Sequence, residues 1–156
     1  MGLKRIVFVC LGNICRSPAA EGVFLDLIKK NGVKDQFIVD SAGTSAAHEG
    51  ERADSRMRAA AKKRGVDLPS ISRQFRSPDD FEKFDIVIVM DQSNFKNIRS
   101  LDRSDQFASR VKMMTDFSEG YKGQDVPDPY YGGDSGFDLV LDILEDSCLG
   151  LMKEYT

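Results

Sequence analysis

Apolar residues recur along this chain with two alternating periods. The run Ile6-Val7-Phe8-Val9-Cys10 is short, β-branched and aromatic, and it stops at Gly12-Asn13, which predicts a buried central strand. Beyond it the spacing becomes helical: Ala20, Val23, Phe24, Leu27 and Ile28 share one face, and Asn31-Gly32 ends the pattern. Ser17 is expected to cap this helix, Pro18 to take its first position, and Glu21 to lie in its first turn, where a carboxylate suits the helix dipole. Phe37-Ile38-Val39 predicts a second strand, and the spacing predicts a helix over 53–64 with Gly65 as its stop. Ser77-Pro78-Asp79-Asp80 opens a short helix that hands over to a strand at 86–90. A helix over 91–101, a weaker strand at 111–114 and an amphipathic helix over 135–155 follow. Strand–helix alternation of this kind argues for an α/β fold, a three-layer sandwich whose central, mainly parallel four-stranded sheet is flanked by helices. The one long loop, 121–136, is rich in Gly, Pro and Asp and is a functional suspect.

Composition narrows the function classes. A chain of 156 residues is of single-domain size, and one domain over 1–156 is expected. Its 22 basic and 25 acidic residues leave a formal charge of −3, without the basic surplus of a nucleic-acid binder. Cysteines at positions 10, 15 and 148 make a poor disulfide framework and favour a reducing compartment, so the expected location is cytoplasmic. The apolar run behind Lys4 and Arg5 is too short for a signal peptide, and no stretch could span a membrane. Ile6 stands where a myristoylation pattern wants Ser or Thr. A monomer without membrane or nucleic-acid partners is expected.

The segment Cys10-Leu11-Gly12-Asn13-Ile14-Cys15-Arg16-Ser17 lies between the first strand and the first helix, where open parallel sheets bind ligands. Five residues between Cys10 and Arg16 are enough to wrap one tetrahedral anion with inward-pointing N–H groups, and Gly12 and Asn13 tolerate the positive φ such a nest needs. A cysteine at a helix amino terminus beside arginine falls from a pKa of about 8.5 to roughly 3.5–7.5, so Cys10 is expected to be a thiolate at neutral pH. Ser17 can donate to that sulfur, and Arg16 offers the planar fork that matches two phosphate oxygens. Alone, a Cys-x5-Arg spacing is more often a buried cysteine and a surface cap; the strand, turn and helix in register with it reverse that reading.

With these residues in view, the chain resembles the low-molecular-weight protein tyrosine phosphatases. The likeness runs from Val7 to Ala19 through Asp40-Ser41-Ala42-Gly43-Thr44, Arg73-Gln74 and Val89-Met90-Asp91 to Val126-Pro127-Asp128-Pro129-Tyr130-Tyr131-Gly132-Gly133. It implies hydrolysis of phosphotyrosine in proteins, and of small aryl phosphates, through a phosphocysteine intermediate, with no metal and no cofactor. Cys10 would be the nucleophile, Arg16 the phosphate clamp and Asp128 the general acid, which then activates water. An aspartate between prolines is, read by itself, a common turn residue. Leu11, Gly12, Asn13, Ile14, Cys15 and Ser17 would bind phosphate, and Tyr130 and Tyr131 would wall the substrate ring, unless they are only exposed loop aromatics. Ser41 would support the loop with Asn13 and Ser17. Cys15 would pair reversibly with Cys10 under oxidation, or simply fill the core; Cys148 reads as core.

Two positions depart from the family pattern. Ser70 stands where relatives often have His, which alters support for the loop, and Ala47 replaces an aromatic residue, which predicts a wider cleft. His48 reads as an exposed loop residue. Among competing functions, arsenate reductases of this fold need a mid-chain cysteine pair that is absent between Cys15 and Cys148, and phosphoarginine phosphatases carry Thr where Ile14 stands. A thiol protease would pair Cys10 with His48, and a phosphate-binding module would need neither Cys10 nor Asp128.

Overall fold

The first predicted strand lies at the centre of the sheet. In the computed structural model, which describes residues 2–133 and 135–156 apart from the Tyr131 side chain, β1 (Lys4–Cys10) pairs in parallel with β2 (Phe37–Gly43) and with β3 (Ile86–Val89). β4 (Val111–Met113) pairs in parallel outside β3, so the sheet order is β2-β1-β3-β4. Successive side chains of β1 point to opposite faces. Ile6, Phe8 and Cys10 enter a core with α1 (Arg16–Lys30), α2 (Ser55–Lys63) and α5 (Ser135–Glu154), while Val7 and Val9 meet Phe81 of α3 (Asp79–Lys83) and Ile98 of α4 (Gln92–Leu101). Burial on both faces is why the strand reads as an unbroken apolar run rather than an alternating one.

Phe24 of α1 anchors the larger core, edge-to-face with Phe8 at 5.9 Å and with Phe37 at 5.1 Å. Each such aromatic pair adds about 0.5–1.5 kcal/mol beyond area burial. In the other core Phe81 stacks on Phe107 and meets Phe75 edge-to-face.

Several boundaries differ from the sequence expectation, each for a local reason. α1 begins at Arg16 with Cys15 as its N-cap, so Ser17 does not cap it and Pro18 is its third residue. Proline costs nothing there, because the first i→i−4 bond is donated by Ala19 to the Cys15 carbonyl at 3.2 Å. Glu21 lies beyond the first turn, where its carboxylate accepts the Ser41 hydroxyl at 2.6 Å. β2 continues past Val39 to Gly43, because the polar Asp40 and Ser41 that mask the pattern still pair with Val7 and Phe8. α2 starts at Ser55, with Asp54 accepting from the Arg56 and Met57 N–H groups, and Met114 opens a 3-10 turn rather than ending β4. Within the loop at 121–136, Pro129–Tyr131 forms a 3-10 turn and α5 starts at Ser135. Among the described residues, no helix is long and apolar enough to cross a membrane.

The chain leaves β1 for β2 on one side, then crosses over to β3 on the other. That reversal opens a crevice beyond the carboxyl ends of β1 and β3.

Candidate active site

The loop after β1 fills this crevice, and its carbonyl groups are bound to the scaffold behind it. The Cys10 carbonyl accepts from Thr44 N–H and the Leu11 carbonyl from Ser45 N–H, both at 2.9 Å, while the Ile14 carbonyl accepts from Asp54 N–H at 2.8 Å. The Gly12 carbonyl accepts the Ser72 hydroxyl at 2.9 Å. In a trans peptide the C=O and the following N–H point in opposite directions. Carbonyls held outward therefore turn the N–H groups of Leu11, Gly12, Asn13 and Ile14's successor Cys15 toward the loop's interior, as an anion nest requires. Asn13 takes the one left-handed conformation in the loop, φ 56°. Gly43 permits the close approach of β2, since a Cβ there would lie 2.8 Å from the Leu11 carbonyl oxygen.

Under the loop, hydrogen bonds fix the direction of each hydroxyl. Arg73 N–H donates to Asn13 Oδ1 at 3.0 Å, which orients the amide so that Nδ2 donates to Ser17 Oγ at 2.7 Å and to Ser41 Oγ at 3.0 Å. Each hydroxyl, having accepted from Asn13, has its proton to give onward: Ser41 donates to Glu21, while Ser17 lies 3.1 Å from Cys10 Sγ and 3.3 Å from the Ala42 carbonyl, and a thiolate at Cys10, which can only accept, draws the proton to the sulfur. Burial pushes the Glu21 carboxyl above its ordinary range, against hydrogen bonds from Ser41 and Ser70. Support for the loop at the departure from the family pattern thus comes from Ser72 and the Arg73 backbone, while Ser70 faces Glu21.

Arg16 is almost fully buried at 2% exposure, and its guanidinium is fixed by groups far away in sequence. Nη1 donates to Asp91 Oδ2 at 2.6 Å and to the Val126 carbonyl at 3.0 Å, and Nη2 faces Asp128 Oδ2 at 3.5 Å. Burial opposes its charge, but Cys10, Asp91 and Asp128 outweigh that cost and hold Arg16 further above its usual pKa. Asp128 Oδ1 accepts Tyr130 N–H at 3.1 Å, which aims the carboxyl at the loop. The Cys15 thiol is pushed up by burial first and by the charges of Asp54, Cys10 and Asp128 next. Cys148 is wholly buried on α5, its thiol also pushed up by burial.

One cavity of about 150 Å³ brings together Cys10, Leu11, Gly12, Ile14, Cys15, Arg16, Asp128 and Tyr130, with Ser45, Ala47 and His48 completing its wall. A single water needs about 10–15 Å³ by this measure, so the space admits a phosphoryl group and part of a ring. Asn13, Ser17 and Ser41 lie beneath it, and the Tyr131 side chain lies outside the described residues. Beside Ala47, His48 is half-buried rather than an exposed loop residue: it turns its ring in over Gly12 and stands 5.9 Å from the Tyr130 ring. A Cβ on Gly12 would meet His48 Cδ2 at 3.0 Å, so this glycine makes room for the imidazole. Asp91 falls within the family likeness at Val89-Met90-Asp91 but takes no role in the sequence reading; its place just beyond β3 at the strand-order reversal is the signal that marks it as part of the site. Among the described residues, no group of three or more His, Cys, Asp or Glu side chains is placed to hold a metal.

The family described as low molecular weight phosphotyrosine protein phosphatase matches residues 5–156. A rat low molecular weight phosphotyrosine protein phosphatase is 40% identical over 158 aligned positions, covering 99% of this chain and 95% of the relative. The crystal structure of a protein tyrosine phosphatase from Entamoeba histolytica superposes with a TM-score of 0.91 at 47% identity, covering 97% of this chain and 96% of that one. A Drosophila arginine phosphatase superposes with a TM-score of 0.89 at 27% identity, over 97% of each chain.

Proposed function

This chain belongs to the low molecular weight phosphotyrosine protein phosphatase family, and from that premise we propose that it hydrolyses phosphotyrosine in proteins with Cys10, Arg16 and Asp128 as its reacting groups. The observation that carries the assignment is the convergence of those three side chains on one cavity at the mouth of an inward-facing N–H nest. Cys10 Sγ attacks phosphorus in line as a thiolate; the S–P bond forms as the P–O bond to the phenol breaks, and the Asp128 proton passes to the departing oxygen. Arg16 and the loop N–H groups hold the equatorial oxygens. Water then attacks the phosphocysteine and gives its proton to Asp128, and the P–S bond breaks to release phosphate. Ser17, donating to the sulfur, makes the thiolate a better leaving group.

Leu11, Ile14, Ala47, His48 and Tyr130 line the cavity above this polar floor, which suits an aryl ring. Ile14, an apolar side chain in the wall, favours that ring over a phosphorylated guanidinium. The reading takes 1–156 as one catalytic domain, monomeric and cytoplasmic; three free, buried cysteines support a reducing compartment. Peroxide oxidises the Cys10 thiolate to a sulfenic acid with loss of hydroxide; the Cys15 sulfur then attacks the Cys10 sulfur, the S–O bond breaks, and the hydroxyl leaves with the Cys15 proton as water to give a reversible Cys10–Cys15 disulfide. The test is a single assay in EDTA comparing peptides that carry phosphotyrosine, phosphoserine and phosphoarginine. Phosphotyrosine should be hydrolysed fastest, and Cys10→Ser should bind that peptide without turnover; faster release from phosphoarginine, or a Cys10→Ser enzyme that still turns over, overturns the assignment.

A further inference from the structure

Asp128 must keep its place over the phosphate loop although more than a hundred residues of chain separate it from Cys10, and one pair of side chains outside the reacting groups touches both parts. Asp54, the N-cap of α2, donates its N–H to the Ile14 carbonyl of the phosphate loop at 2.8 Å. Its carboxylate takes the Arg56 guanidinium in a two-point contact, Nε to Oδ1 at 3.2 Å and Nη2 to Oδ2 at 3.0 Å. The same Arg56 Nη2 donates to the Tyr130 carbonyl at 3.1 Å. Tyr130's own N–H is the group that holds Asp128 Oδ1. Arg56 also lies over two rings, 5.5 Å from the Tyr130 centroid and 4.9 Å from that of Phe137 at the start of α5. Its guanidinium is therefore bonded in plane to a carboxylate and a carbonyl and stacked out of plane on aromatics, a combination that the point charge of lysine does not reproduce.

Resting on the phosphatase reading above, we propose that Arg56, anchored by Asp54, is the positioning residue that sets the distance of the Asp128 carboxyl from the phosphate loop. It acts through Tyr130 and does not touch the reacting atoms. Arg56 is 40% exposed at its side chain, so its removal leaves no buried void. What changes is the height and aim of Asp128. Misplacing a catalytic group by an ångström costs up to about 10²-fold. The loss should fall on the step that needs the acid and spare an ester whose leaving group departs unaided.

The experiment compares wild type, Arg56→Ala, Arg56→Lys, Asp128→Ala and the double variant on phenyl phosphate and on 2,4-dinitrophenyl phosphate. Because breakdown of the phosphocysteine is common to both esters and also uses Asp128, the readout is kcat/KM, which reports the first step alone: Arg56→Ala is expected to lower it by about 10- to 10²-fold on phenyl phosphate and by less than about twofold on the dinitrophenyl ester. Arg56→Lys should fall with Arg56→Ala. Adding Arg56→Ala to Asp128→Ala should cost almost nothing further, because the residue acts through a group already gone. Equal losses on both esters, a lysine variant as fast as wild type, or an undiminished effect in the Asp128→Ala background overturns the proposal. If Asp128→Ala itself slows both esters alike, the acid assignment falls first, and the positioning role with it.

Discussion

Asn13 decides the polarity of the hydrogen bonds beneath Cys10. Its Oδ1 is occupied by the Arg73 N–H, so its amide hydrogens must go to Ser17 and Ser41, and the Ser17 proton is left for the Ala42 carbonyl at 3.3 Å or, when Cys10 is a thiolate, for the sulfur at 3.1 Å. A hydrogen bond to a charged group contributes about 1.5–3 kcal/mol. Ser17→Ala should therefore slow breakdown of the phosphocysteine by about 10–10²-fold, since 1.36 kcal/mol is tenfold in rate. Formation of the intermediate, driven by the acid and Arg16, should slow less. Rapid-quench measurement should then find a burst of phenol followed by a slower steady state; a variant with no burst would mean that Ser17 does not assist the departing sulfur.

At the level of elements, what the sequence revealed tracks how local each determinant is. The strand, the turn and the arginine of the phosphate loop are consecutive, so Cys10, Asn13 and Arg16 were legible from spacing. The start of α1 was misread because Ser17 looks like a cap and Pro18 like a first helical residue. Only the fold reveals that the Ser17 hydroxyl is claimed by Asn13 and Cys10. Asp54, Arg56 and the inward ring of His48 left no periodic signal, since their partners at Ile14, Tyr130 and Gly12 lie on other segments. The same holds for Gly150, a glycine inside α5 whose partner lies on another segment. In the fold it lets α5 rest on the turn at Met114–Phe117: a Cβ there would sit 1.8 Å from the Phe117 carbonyl oxygen and 2.9 Å from its carbon. Backbone must move to accept it, so Gly150→Ala should destabilise by about 3 kcal/mol, the upper end for overpacking. A lower urea midpoint with an unchanged slope would register this loss, and an unchanged midpoint would refute it.

For the molecule as a whole, acid sensitivity follows from carboxylates tied across the fold. The Ser118 hydroxyl, with Gly120 and Glu119 N–H groups, lowers the pKa of Asp146 on α5. Burial works against Asp54 and Asp85, but hydrogen bonds from Arg56 and Arg5 outweigh it and lower both. A depressed carboxylate contributes stability that is complete above its unfolded value, about 3.9, and lost as pH falls through the folded one. Glu21, raised by burial, has the opposite sign: its contribution is complete below about 4.3 and declines as pH rises through its folded value. Asp146→Asn should thus be less stable than wild type by about 1–2 kcal/mol at pH 7, and the gap should close by about pH 2. Denaturant titrations at the two pH values test this, and a gap that persists in acid would assign the loss to packing instead.

The outward-held carbonyls have one more consequence. Because Cys10, Leu11, Gly12 and Ile14 are fastened from behind by Thr44, Ser45, Ser72 and Asp54, the direction of the loop's N–H groups is set by the surrounding scaffold and not by what lies beyond the bridging oxygen of a bound group. Donors aimed in this way meet the oxygens of a tetrahedral dianion alike, whether it is an ester or the free ion. Inorganic phosphate in the surrounding medium is then a standing competitor, and its concentration sets the fraction of molecules open to a phosphoprotein at any moment.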